Sequence, residues 1–195
     1  MMRFIKPALF LACLAPFVWL VWRAAAGGLG ANPIEAVTRF TGDWALRLLL
    51  LTLAVTPLRR ITGWHALIRQ RRMLGLFSFF YASLHFLTYA LLDQGLSLAA
   101  IGEDILKRPY ITLGFLVFLM LVPLAATSSN AMIKRLGGRR WRRLHRLVYL
   151  CGIGGVLHYL WLVKADVREP LIYLGVLLLL FALRLPWGRP HGAKT

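Results

Sequence analysis

The sequence predicts an all-α membrane protein, a bundle of six transmembrane helices with both termini on the cytoplasmic side. Three observations predict it. The chain of 195 residues is 59% hydrophobic, above the range of ordinary soluble domains and more than a chain of this size can bury. Its apolar residues gather into six runs, near residues 8–25, 44–58, 73–92, 110–126, 144–163 and 171–185. Each is long enough, or nearly so, to cross a hydrocarbon core of ~30 Å, which takes about 20 helical residues. Helices are the required form, because an open strand would leave backbone groups unpaired in lipid. The third observation is where the charges fall. The 24 Lys and Arg outnumber the 7 Asp and Glu, a balance that in a soluble protein would suggest nucleic acid. Here the basic residues sit in short loops between apolar runs, so the membrane explains them and no nucleic-acid partner is expected.

Taken in order, the first run follows Arg3 and Lys6 and leads to Ala24-Ala25-Ala26, an outline shared with secretory signal peptides. Trp19, Trp22 and Arg23 ahead of the alanines fit an interfacial anchor instead, so the run is expected to remain as a span. Gly27, Gly28 and Gly30 follow a helix and lack the dinucleotide spacing, which excludes a Rossmann unit. The second run is short, and Arg47 implies that it begins at the interface and extends through it. Arg59, Arg60, Arg69, Arg71 and Arg72 fill the next loop, and Lys134, Arg135, Arg139, Arg140, Arg142 and Arg143 fill the loop after the fourth run. With Arg3, Lys6, Arg184, Arg189 and Lys194 at the ends, these segments belong inside. Glu35, Asp43, Asp93, Glu103, Asp104, Asp166 and Glu169, all the acidic residues, lie in the three opposite loops. Spans one, three and five therefore run outward. No loop exceeds ~20 residues on this reading, so the chain is expected to be a single transmembrane domain over 1–195. Cys13 and Cys151 fall within apolar runs, where a thiol packs as a small hydrophobe, and no disulfide or thiolate site is expected.

Ionisable residues inside a span are costly and are functional candidates by default. His85 and His158 qualify. They lie 12 residues after Met73 and 14 after Leu144, hence ~18–21 Å along their helices at 1.5 Å per residue. Both helices run outward, so the two imidazoles share one depth in the outer half of the bilayer. Two imidazoles facing each other suit the axial positions of a low-spin b-type haem, whereas zinc would want three or four ligands. Ser78, Tyr81, Ala82, Thr88 and Tyr89 share the helix face of His85, and Cys151, Gly154 and Gly155 that of His158. Such small residues would let a flat macrocycle lie near the backbone. They would equally allow tight helix packing, with each histidine bonded to a nearby carbonyl; the matched depth of two histidines favours the haem. His145 opens the fifth run beside Arg142, Arg143 and Arg146, and 13 residues from His158 it cannot share a metal with it. A second cofactor, proton transfer near a quinone and a plain interfacial position are all open to it. A second haem would need a histidine where Arg72 stands. His65 is assigned to the loop surface and His191 to a polar tail. Arg108, Tyr110, Trp161 and Lys164, near the outer span ends, are candidates to meet haem propionates or a partner, or to anchor at the interface.

Several segments carry a resemblance: Gly27–Ala31, Phe40-Thr-Gly42, Thr56-Pro-Leu58, Arg71–Gly75 leading to Leu84-His85, Arg108–Gly114, Leu144-His145 and His158-Tyr-Leu-Trp161. In order and spacing, over nearly the whole chain, the sequence resembles the MsrQ family within the ferric-reductase-like transmembrane group. The resemblance implies a multi-pass protein of the bacterial cell inner membrane that holds haem b and FMN. It would take electrons from the quinone pool and pass them to MsrP, a periplasmic molybdopterin enzyme that reduces methionine sulfoxide in oxidised envelope proteins. The family's important histidines fall on His85, His145 and His158, with His85 and His158 as iron ligands. The chain would then be an electron-transfer subunit with no catalytic residue of its own. The residues alone also allow a stand-alone ferric or quinone reductase, or a non-redox helical bundle such as a small transporter.

Overall fold

A computed structural model describes residues 2–185, with side chains from Phe4 onward. Arg189, His191 and Lys194 lie outside the described residues, as does the side chain of Arg3. The described chain is all-helical: α1 (Met2–Ala25), α2 (Pro33–Thr62), α3 (Arg71–Thr88), α4 (Leu98–Lys107), α5 (Pro109–Ala126), α6 (Asn130–Leu136), α7 (Gly138–Leu144), α8 (Leu147–Leu162) and α9 (Arg168–Ala182). A 3₁₀ segment, His65–Gln70, leads into α3, and a π-helical segment, Tyr89–Asp93, continues it.

Each predicted run falls on a helix, but the ends differ in informative ways. α2 begins at Pro33, eleven residues before its apolar stretch. Asn32 accepts the Glu35 backbone N–H at 3.2 Å, Pro33 needs no donor partner at the first position, and the Glu35–Arg39 (2.9 Å) and Asp43–Arg47 (3.8 Å) pairs line successive turns. At the far end Gly63, with φ of 69°, takes the left-handed cap and returns its N–H to the Arg59 carbonyl. The fifth run does not form one helix from residue 144. A turn at His145–Arg146 separates α7 from α8, so Arg139, Arg140, Arg142 and Arg143 sit on a helix of their own. The segment between the third and fourth runs, read as loop, contains α4, capped by the Ser97 side chain accepting from Ala100 N–H.

Three stretches are long and apolar enough to cross a membrane by length and composition: Phe4–Ala25, His65–Asp93 and Pro109–Ala126. α2 is long enough but carries four charges in its first half, and α8 and α9, of 16 and 15 residues, reach only about 24 and 23 Å at 1.5 Å per residue. The exterior is apolar. Leu51, Leu116, Leu119, Leu150, Leu178 and Leu179 face outward, as lipid permits and water does not.

Two pairings dominate the packing, α2 with α3 and α5 with α8. Between them a core of Leu46, Leu49, Leu53, Val117, Leu121 and Val156 closes the bundle. α1 seals the outside of α3 through Phe10–Phe77 and Phe17–Phe80 edge contacts and a bond of 2.9 Å from the Tyr81 hydroxyl to the Cys13 carbonyl. α9 is tied on by Arg47 donating to Tyr173 (2.8 Å) and Tyr159 donating to Glu169 (2.7 Å). Cys13 and Cys151 are both buried as free thiols.

The α5–α8 seam depends on Gly154, where an added Cβ would come within 2.6 Å of Val117 Cγ2. Gly154→Ala is expected to lower the thermal unfolding midpoint of detergent-solubilised protein, at a cost of about 1–3 kcal/mol for overpacking. Val117→Ala on the same background should restore most of the loss; additive losses in the double variant would contradict this contact.

Candidate functional site

α2, α3, α5 and α8 enclose a cavity of about 330 Å³. His85 on α3 and His158 on α8 face each other across it, ring centres 6.2 Å apart and planes at 77°. The two histidines singled out in the sequence are thus brought side by side.

Each ring is held in the same way. His85 Nδ1 bonds the Thr38 carbonyl of α2 at 2.8 Å, and His158 Nδ1 bonds the Tyr110 carbonyl of α5 at 2.7 Å. A carbonyl can only accept, so Nδ1 is the protonated nitrogen in both rings and Nε2 keeps its lone pair. Fixing a tautomer through Nδ1 in this way is how a ligating histidine is usually prepared. Both acceptors are followed four residues later by a glycine that lies flat against the ring. A Cβ at Gly42 would come 3.0 Å from His85 Nδ1, and one at Gly114 would come 2.8 Å from His158 Cε1 and 2.9 Å from its Nδ1.

The bottom of the cavity is apolar, lined by Leu46, Leu49, Leu121 and Phe118, with Ser78, Ala82 and Gly155 among the small residues. Its mouth is charged, with Arg39, Asp43, Asp93 and Arg108 on the rim. Asp104 organises that rim. It pairs with Arg108 at 3.1 Å and accepts from Gln94 at 3.1 Å and Tyr89 at 3.3 Å, which ties the π-helical segment to α4.

Of the residues expected near the slot, Tyr89, Arg108 and Tyr110 line it, whereas Trp161 and Lys164 do not. Gly155 is on the cavity wall. Gly154 and Cys151 serve helix packing instead: Gly154 admits Val117, and Cys151 is wholly buried in the core. His145 stands apart. It caps α7, stacks on Trp141 with centres 4.0 Å apart, and bonds Thr127 Oγ1 through Nε2 at 3.1 Å, while Trp141 donates to the Thr127 carbonyl. The two glycines, the two carbonyls and Arg39 escaped the sequence reading. A signal was present: Leu84-His-Phe-Leu87 and Leu157-His-Tyr-Leu160 are near copies, and a glycine precedes each histidine by 43 or 44 residues.

Among the described residues no three His, Cys, Asp or Glu side chains are placed to hold a metal ion. The slot thus offers a metal two imidazoles and no further protein ligand, which suits an ion whose other positions are filled by a flat macrocycle.

Fold and site define a helical membrane protein with paired histidines across an interhelical slot. A family description, "Ferric reductase like transmembrane component", matches residues 41–156. Proteins named "Protein-methionine-sulfoxide reductase heme-binding subunit MsrQ" are similar over most of the chain. That of Ralstonia nicotianae is 55% identical over 197 residues, covering 98% of this chain and 91% of that protein. That of Rhodospirillum rubrum is 56% identical over 178 residues, covering 91% and 86%, and that of Bordetella pertussis is 49% identical over 192 residues, covering 97% and 93%. The chain belongs to the MsrQ family of ferric-reductase-like transmembrane proteins.

The carbonyl contacts make a spectroscopic prediction. ¹⁵N NMR of histidine-labelled protein should find His85 and His158 both protonated at Nδ1, and Gly114→Ala should disturb His158 while sparing His85. Protonation at Nε2 in either ring would contradict the contacts described.

Proposed function

We propose that the chain crosses the bacterial inner membrane six times, with both termini cytoplasmic, and holds a b-type haem between His85 and His158. Electrons from the quinone pool pass outward through it to periplasmic MsrP, which reduces methionine sulfoxide in oxidised envelope proteins. Segregation of the basic and acidic loops supports the orientation. The relatives' printed names support the haem and the reductase system. An FMN between quinol and haem follows from the family resemblance alone.

The observation that carries the haem assignment is the spacing of the rings. Two imidazoles that shared one metal through Nε2 at about 2.0–2.1 Å each would have ring centres ~6 Å apart. The rings here are 6.2 Å apart, with 77° between their planes. The chain's own residues supply the rest. Thr38 and Tyr110 orient the ligands; Gly42 and Gly114 make room for the rings. Leu46, Leu49 and Phe118 exclude water from the apolar end. Arg39 and Arg108, at the mouth, would meet the acidic edge of a macrocycle. A haem held there supplies one-electron transfer at a potential set by its axial ligands and burial. A quinol yields two electrons and two protons, and a sulfoxide consumes two of each to give the thioether and water; a haem between them would divide that exchange into single-electron steps.

A second reading, a ferric or quinone reductase that works alone, is favoured by the wording of the matching family description. Reduced membranes carrying the chain would then reduce ferric chelates and fail to reduce added MsrP.

Detergent-purified protein made with ample haem is expected to show a Soret band that shifts on reduction; no band would sink the redox reading. His85→Ala or His158→Ala should abolish haem retention, and His145→Ala should keep at least part of it. Equal loss from all three variants would overturn the ligand assignment.

A further inference from the structure

Asp43, Arg47, Tyr159, Glu169 and Tyr173 gather on one flank of the cavity, where α2, α8 and α9 meet. Asp43 and Tyr159 line the cavity itself. Hydrogen bonds are shared unevenly among them. Arg47 donates its Nε–H to the Tyr173 hydroxyl at 2.8 Å and lies 5.4 Å from the Trp44 ring centre. Its Nη2 stops 3.8 Å from Asp43, beyond hydrogen-bond length. Glu169 accepts from the Tyr159 hydroxyl at 2.7 Å. Asp43 is left, among the described residues, with the loose ion pair to Arg47.

The charges acting on Asp43 are Arg39 and Arg47 on its own helix and Glu169 on α9. Arg39 is already paired with Glu35 at 2.9 Å. That leaves two carboxylates, Asp43 and Glu169, to the single guanidinium of Arg47. Across the mouth the other polar groups are tied elsewhere: Arg108 and Tyr89 to Asp104, and Asp93 to Gln94 at 3.3 Å. The Nδ1–H of each imidazole is spent on a main-chain carbonyl. Gly42, the residue before Asp43, packs against the His85 ring. Asp43 therefore stands on the wall of a largely apolar cavity, near the paired histidines and short of donors. Charge in such a place is felt at a distance. At an effective dielectric of ~20, a unit charge ~10 Å away changes a carboxylate's proton affinity roughly tenfold.

We propose that Asp43 takes up a proton when the haem slot gains an electron, so that the two enter the site together. This inference rests on the haem assignment proposed above. One electron from a quinol-class donor converts ferric to ferrous iron. One proton from water at the outer face forms the Asp43 O–H bond, and the ion pair with Arg47 is given up. When the electron leaves, the proton returns to the same water. Asp43 is the acceptor because it lines the cavity, whereas Glu169 is exposed, lies off the cavity wall and already holds the Tyr159 hydroxyl. Linkage makes the effect reciprocal: if reduction raises the proton affinity of Asp43, its protonation favours the electron by the same factor. The haem potential is then highest with Asp43 protonated and falls as pH rises through its titration.

Potentiometric titration of the haem in the detergent-purified full chain, followed by visible absorption between about pH 4 and 8, tests the coupling. The reduced-to-oxidised ratio at a fixed potential should fall roughly tenfold between the acidic and alkaline limits, about 59 mV in midpoint. Asp43→Asn should hold the potential flat near the native acidic limit, because an amide has no charge to gain. Asp166→Asn, at an exposed carboxylate, should keep the native fall. Reduced-minus-oxidised infrared spectra of the native protein should show a new carboxylic-acid band. Should Asp43→Asn lose the haem, Asp43→Glu keeps the carboxylate and should move the titration along the pH axis; an unmoved titration overturns the proposal. Protein that binds no haem overturns the functional reading and the coupling together. Bound haem with a flat potential, or with no carboxylic-acid band, overturns the coupling alone. So does a fall that survives Asp43→Asn, which would assign the proton to the macrocycle's own carboxyl groups beside Arg39 and Arg108.

Discussion

An imidazole can bond a carbonyl in the middle of a helix only if the helix leaves that carbonyl uncovered. A helical carbonyl spends one lone pair on the N–H four residues ahead and keeps a second. The side chain four residues ahead normally shields it, because helical Cα–Cβ bonds tilt toward the N-terminus and cover the preceding turn. At Thr38 and Tyr110 the shielding residue is Gly42 or Gly114. An added Cβ would press on the bonding edge of each ring, 3.0 Å from Nδ1 of His85 in one case and 2.8 Å from Cε1 and 2.9 Å from Nδ1 of His158 in the other. Glycine and bond are therefore one device, used twice. With no side chain between them, α2 can close on α3 and α5 on α8, and these are the main pairings of the bundle. The cavity is what remains between the two pairs once each has closed.

The two ends of the bundle treat charge in opposite ways, and each treatment matches its surroundings. At the histidine end, arginines meet carboxylates: Asp104 takes Arg108, Gln94 and Tyr89, and Asp43 takes Arg47. The rim charges are thereby tied to one another above a largely apolar slot. At the other end Arg60 and Arg184 have aromatic and carbonyl neighbours and, among the described residues, no carboxylate partner. The axial separation keeps the strong positive potential of that end away from the imidazoles, while the core of Leu46, Leu49, Leu53, Val117 and Leu121 insulates the two.

How much of this was legible in the sequence depended on the range of the interaction. Apolar runs and loop charges are local quantities, so the helices and the pairing of His85 with His158 could be read directly. The ends of α2 and α8 could not. α2 extends past its apolar stretch because capping and successive ion pairs sustain a polar helix, and α8 starts late because the chain turns at His145. The glycines were harder still. Gly154 and Gly155 drew attention because they share a helix with His158, whereas Gly42 and Gly114, on neighbouring helices, touch the rings. A contact across 43 residues leaves no periodic trace in one helix. Only comparison of the two Leu-His-aromatic-Leu segments would have revealed it, and then only by asking what stands at the same distance before each.

That the acceptors belong to the main chain has a consequence for how the slot can vary. A carboxylate in their place would raise the basicity of the imidazoles and bring a buried charge needing compensation. A peptide carbonyl does neither, so it orients the imidazoles without adding a buried charge. No substitution at Thr38 or Tyr110 removes the acceptor itself. Control over ring orientation passes instead to Gly42 and Gly114, where the smallest added side chain meets the ring, and to the packing that presses each helix pair together. Changes to the apolar wall, at Leu49, Phe118 or Leu121, would alter burial around the rings while leaving both bonds intact. Ring orientation and local polarity thus rest on separate sets of residues and can change independently.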